Sequence, residues 1–130
     1  MYIQHVSVPR PPGSESRQEA QAFYSGVLGL PEKPVPRTIQ HLDLVWFQVG
    51  EMEIHCFAEE PVPDSSGRHF CLVMDDLEAV RQRLTEAGYE AVDPENIMGR
   101  PRFFSRDPFG NRIEFTTIVG DYLALENSGQ

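Results

Sequence analysis

The chain has 130 residues, 20 of them acidic and 11 basic, for a formal net charge of −9 and a pI near 4.8. That balance argues against a nucleic-acid surface and against docking on an anionic membrane. An apolar share of 40% is enough for one compact unit or two small fused halves. No apolar run approaches the roughly 18–20 residues of a membrane span. The N-terminus shows no basic region followed by an apolar stretch, so no signal peptide is expected. Cys56 and Cys71 both fall in strand-like runs, which reads as two reduced, buried thiols in a cytoplasmic protein.

In chain order, residues 3–8 alternate apolar and polar and predict a strand. Pro9, Pro11, Pro12 and Gly13 break it. Ser16 and Glu19 have the spacing of a capping box that opens a helix. Ala20, Phe23, Tyr24, Val27 and Leu28 then recur on one helical face, and Gly29 follows as its C′ residue. Strand signals resume at 44–49 and 53–57, with a weaker run near Val35. Residues 59–67 are polar and proline-rich and read as a linker.

The pattern then repeats. Residues 68–74 predict a strand, and Asp75 and Glu78 repeat the capping spacing. Leu77, Val80, Leu84 and Ala87 form a helical stripe closed by Gly88. Strands follow at 102–105 and 112–117, with a weak run near Val92. Asp107-Pro108-Phe109-Gly110-Asn111 is a tight turn: Pro presets φ, while Gly and Asn tolerate positive φ. The expected layout is a module at 1–58, a linker at 59–67, a module at 68–118 and a tail at 119–130 that is either helical or frayed.

Alternate strand residues point to opposite faces. Each apolar helix stripe needs an apolar sheet face, which Val6, Ile54, Phe70 and Ile113 supply. His5, His55, His69 and Glu114 therefore share the opposite face. The repeat relates His5 to His69 in the first strand of each half, and His55 to Glu114 in the last. Each alone could be a solvated or hydrogen-bonded residue. At matched positions they read as ligands for Zn, Ni, Fe, Mn or Co, with coordination positions left open for substrate. His41 lies outside the pattern and is expected at the surface.

These residues sit within motifs spread over residues 3–118: Phe23-Tyr24-x-x-Val27-Leu28-Gly29-Leu30, Asp75-Asp76-Leu77-Glu78-Ala79-Val80, Leu84-x-x-Ala87-Gly88, and Asp107-Pro108-Phe109-Gly110-Asn111-x-Ile113-Glu114. Together they resemble the vicinal oxygen chelate superfamily, which includes glyoxalases, bleomycin-resistance proteins and extradiol dioxygenases. The resemblance implies an α+β fold in which two βαβββ modules form a cupped mixed sheet, with helices on its convex face. It implies a divalent metal ion in the cup, held at the positions of His5, His55, His69 and Glu114. It also implies a small-molecule substrate and a homodimer, sometimes with exchanged modules. Glyoxalase I typically has a carboxylate where this chain has His55, which puts lactoylglutathione chemistry in doubt.

The implied chemistry is lyase, isomerase or dioxygenase catalysis on a molecule with vicinal oxygens, with Glu114 or His55 as the base. Trp46, Arg102 and Phe104 are candidates for the substrate wall. The other reading is a bleomycin-resistance-like protein that sequesters a small molecule without catalysis.

Overall fold

The computed structural model describes residues 1–128. Its strands form two mixed sheets, each with its own helix, and contacts divide the chain into two units. The first unit comprises residues 1–66 and 107–111; the second comprises 67–106 and 112–130. Residues 129 and 130 of the expected tail lie outside the described residues.

In the first unit, β1 (His5–Arg10) runs parallel to β4 (Met52–Ala58). β4 pairs antiparallel with β3 (Leu44–Val49), and β3 with the short β2 (Glu32–Lys33), in the order β1-β4-β3-β2. Gly50, at φ 57°, allows the tight β3–β4 reversal. The weak run near Val35 yields no strand there; β2 ends two residues earlier.

Helix α1 (Ser14–Ala20) continues directly as a π-helix over Gln21–Val27. The wider π-turn changes the side-chain period. Ala20, Phe23 and Tyr24 are buried, whereas Val27 and Leu28 are only half-buried. Buried beside them are Val8, Val45, Phe47, Ile54 and Cys56. Tyr24 packs edge-on to Phe23 at 4.9 Å and tilted on Phe47 at 5.1 Å. Burial of such side chains contributes about 1.5–3 kcal/mol each.

The expected capping box does not form. The N-cap is Gly13, without a side-chain cap. Ser16 is buried and instead accepts a hydrogen bond from Arg10 Nη1 at 2.7 Å while donating to Pro11 O. Arg10 is itself fully buried and pairs with Asp43, whose other oxygen accepts from Gly13 N at 2.8 Å. An ion pair between a buried arginine and a half-buried aspartate thus holds the helix entry where sequence spacing suggested a local cap.

The Asp107–Asn111 turn belongs to this unit. Asp107 Oδ1 accepts from the N–H groups of Phe109 and Asn111, both at 2.9 Å, and its Oδ2 accepts from Tyr24 Oη at 2.7 Å. Asn111 Nδ2 donates to Pro9 O at 3.0 Å.

The second unit has β5 (Phe70–Val73) parallel to β7 (Arg112–Thr116), which pairs antiparallel with β6 (Arg102–Arg106). The run near Val92 makes only an isolated bridge to Phe104. Helix α2 (Leu77–Glu86) is capped one residue later than the sequence suggests: Asp76 accepts from Ala79 N at 3.1 Å. Leu77, Val80 and Leu84 are buried, as are Phe103, Ile113 and Phe115. The tail forms α3 (Tyr122–Ser128). No helix is long and apolar enough to cross a membrane among the described residues.

Both cysteines are free, but only Cys56 is buried. Cys71 is exposed because it lies on the β5 face opposite Phe70 and Leu72.

Candidate functional site

The strand register of each unit places its candidate side chains in rows. In the first unit, Ser7, His55, Trp46 and Lys33 stand side by side across four strands, with His5, Glu53 and Gln48 in the next row. In the second unit, Cys71, Glu114 and Phe104 form a row, and His69 precedes β5 at the level of Arg112. The repeat thus sets Trp46 against Phe104 and Glu53 against Arg112, besides the expected pairs of ligands.

The His55 ring lies between two others. Trp46 stacks on it at 3.7 Å and 3°, and His5 at 4.0 Å and 16°. Two near-parallel rings at that separation cannot aim in-plane lone pairs at one ion. His5 and His55 therefore do not share an ion in this arrangement.

Their hydrogen bonds also differ. His5 Nδ1 meets Gln4 Oε1 at 2.6 Å, an acceptor, so Nδ1 carries the proton and Nε2 offers a lone pair. His55 Nε2 meets Glu53 Oε1 at 2.8 Å, so there Nε2 carries the proton and Nδ1 the lone pair. Lys33 Nζ holds the second oxygen of Glu53 at 2.5 Å. Hydrogen bonds from Lys33 and His55 outweigh burial and bring the Glu53 carboxyl down to about 2. Burial pulls His55 below its ordinary pKa against the opposing influence of Glu53, so its neutral form prevails at pH 7.

In the second unit, His69 Nδ1 donates to Gly67 O at 2.7 Å, and Nε2 lies 3.0 Å from Glu114 Oε1. A backbone carbonyl holds Nδ1, and the Nε2 edge faces a carboxylate, where either a proton or a metal ion can bridge the two. A backbone acceptor behind a ligating histidine is a common outer-shell arrangement. The donor set of His69 and Glu114 fits a divalent ion. Among the described residues, no three His, Cys, Asp or Glu side chains form a cluster suited to a metal.

Phe104 and Arg102 flank this pair. His69 meets Phe104 edge-on at 4.9 Å, and the Arg112 guanidinium covers the Phe104 ring at 3.9 Å. Arg102 Nη1 lies 3.6 Å from Glu114 Oε1, and its buried Nε has no partner. The buried Trp46 Nε1 is likewise unpartnered. A cavity of about 240 Å³ in the second unit is lined by Arg81, Arg100 and Arg102, with Glu78, Asp93 and Glu95 balancing their charge. His41 is exposed.

Sequence reasoning passed over Glu53, Gln4 and Lys33. Alternation already put Glu53 on the His55 face, and a carboxylate two residues before a strand histidine was the available signal.

The family model described as the Glyoxalase/Bleomycin resistance protein/Dioxygenase superfamily matches residues 14–115, and the chain belongs to that superfamily. It is similar to a glyoxalase family protein from Bacillus anthracis at 34% identity and TM-score 0.81, over 91% of this chain and 95% of that one. A genomically encoded fosfomycin resistance protein, FosX, from Listeria monocytogenes aligns at 11% identity and TM-score 0.72, over 90% and 93%. A lactoylglutathione lyase from Agrobacterium tumefaciens aligns at 19% and 0.64, over 89% and 92%. The last two likenesses show the fold alone. No curated protein matches the chain.

Proposed function

We propose that this chain is a divalent-metal-dependent enzyme that moves a proton on a small molecule with vicinal oxygens, in isomerase or lyase chemistry. The observation that carries the reading is the His69–Glu114 pair, with Nδ1 of His69 occupied by Gly67 O and Nε2 facing the carboxylate. His69 and Glu114 are the ligands of the second unit. His5 offers Nε2 as the ligand of the first. A bound ion would supply Lewis-acid stabilisation of negative charge developing on substrate oxygen.

His55 is the base in this reading rather than a ligand. Its proton sits on Nε2, toward Glu53, and its Nδ1 lone pair is free to take a substrate proton. That role favours proton transfer over dioxygenase chemistry. Trp46 in the first unit, and Phe104 and Arg102 in the second, are the proposed substrate contacts. A homodimer in the cytoplasm accords with this reading, and the two free thiols support a reducing compartment.

One feature favours non-catalytic sequestration: the parallel Trp46–His55–His5 stack suits a flat aromatic ligand. Deuterium exchange separates the two readings. With α-hydroxycarbonyl compounds in D2O, the protein loaded with Zn, Ni or Co should exchange the C–H between the oxygens, and EDTA should stop it. Absence of exchange with every ion, together with aromatic-ligand binding indifferent to EDTA, would support sequestration.

A further inference from the structure

We propose that Glu53 is a positioning residue that holds the His55 proton on Nε2 and leaves Nδ1 as the base. The use given to that tautomer rests on the functional reading above; the tautomer itself does not.

Glu53 is buried on β4, and its carboxylate engages two side chains. Its Oε1 accepts the His55 Nε2 proton at 2.8 Å. Lys33 Nζ occupies its Oε2 at 2.5 Å. A carboxylate only accepts, so the proton of the His55–Glu53 bond lies on Nε2 of His55 and the lone pair on Nδ1.

Packing holds this assignment in place. With Trp46 and His5 on its two faces, the His55 ring cannot make a half-turn about its Cβ–Cγ bond without driving its edge into them. Lys33 fixes the far oxygen of Glu53 and keeps the near one on His55. The second unit lacks the device. The residue at the level of His69 there is Arg112, which accepts nothing and lies over Phe104. His69 takes its acceptor from the backbone instead.

The test is long-range 1H–15N correlation NMR on 15N-labelled protein stripped of metal with EDTA, for wild type, Glu53→Gln and Lys33→Met. The wild type should show the His55 proton on Nε2. In Glu53→Gln a carboxamide can donate or accept, so His55 should lose its single tautomer. If circular dichroism shows Glu53→Gln unfolded, Lys33→Met carries the test: it should loosen the His55 assignment.

A wild-type His55 protonated on Nδ1, or a tautomer unmoved in a folded Glu53→Gln, would overturn the proposal. The expected tautomer in a protein that takes up no Zn, Co or Ni would uphold Glu53 and remove the metalloenzyme reading. Metal uptake with the tautomer unmoved in folded Glu53→Gln would remove Glu53 alone.

Discussion

His69 Nε2 faces Glu114 Oε1 at 3.0 Å while a backbone carbonyl holds the other nitrogen of the ring. With Nδ1 held by the backbone, the Nε2 edge faces a carboxylate, and either a proton or a metal ion can bridge the two. Replacing either side chain should therefore weaken metal binding without unfolding the chain, since both lie on the sheet face opposite the buried Ile113 and Phe115. We expect His69→Ala and Glu114→Gln to lower Zn affinity at least about 10–100-fold by isothermal titration. Unchanged affinity in both would remove this pair from the site.

Asp43 and Arg10 carry a second prediction. Arg10 is fully buried, and removing its partner leaves an uncompensated charge. Asp43 keeps 33% side-chain exposure and Arg10 retains backbone acceptors, so Asp43→Ala should cost about 1–3 kcal/mol, measured by urea denaturation. A loss below about 0.5 kcal/mol would show the pair to be dispensable.

Stability should fall with acid for a related reason. Burial opposes ionisation of Asp43, but the Gly13 N–H and the Arg10 guanidinium outweigh it and hold its pKa below the ordinary value. Glu53 is brought from 4.5 to about 2 by its bonds to Lys33 and His55, against burial. A folded pKa below the unfolded one gives stability that is full above the unfolded value and lost as pH falls through the folded one. For Glu53 that window runs from about 4.5 to about 2. Asp107 opposes the trend, because burial raises its carboxyl despite its hydrogen bonds to Asn111 and Tyr24. Glu53→Gln should flatten the decline between those pH values in melts of the metal-free protein; an unaltered slope would contradict the assigned pairing.

Gly99 sits at φ 78°, and a Cβ there would lie 2.7 Å from Gly120 O and 2.8 Å from Leu125 Cδ1. Gly99→Ala therefore combines backbone strain with a backbone clash. We expect a loss of about 1–3 kcal/mol in the same denaturation assay.

The thiols should differ under alkylation. Burial raises Cys56 to about 12, and no reagent should reach it in the native state. Cys71 is exposed, yet desolvation and the neighbouring Glu114 carboxylate raise it to about 11. Iodoacetamide at neutral pH should modify Cys71 alone, more slowly than a free peptide cysteine. Rapid labelling of Cys56 would contradict its burial.

Much of the site was legible because strand alternation is a strict period of two. It placed His5 and His55 opposite Val6 and Ile54, and Glu114 opposite Ile113. Helix entry was not legible. A capping box is a local pattern, and at Ser16 it lost to Arg10 and Asp43, which meet across 33 residues of sequence. The π-helix over Gln21–Val27 also escaped, since a widened turn displaces Val27 and Leu28 from the buried face that a 3.6 period assigns them. The division of labour between the histidines lay deeper still. Spacing tells which face a ring occupies, whereas its tautomer depends on which acceptor, Gln4, Glu53 or the Gly67 carbonyl, lies within reach of which nitrogen.

The most direct measurement is the metal content of wild type and Glu114→Ala, purified without chelator or affinity metal and read by inductively coupled plasma mass spectrometry. We expect near-stoichiometric Zn, Ni, Co, Mn or Fe in the wild type and a large loss in the variant. A folded wild type that carries none of these ions, and takes up none on reconstitution, would contradict the metalloenzyme reading.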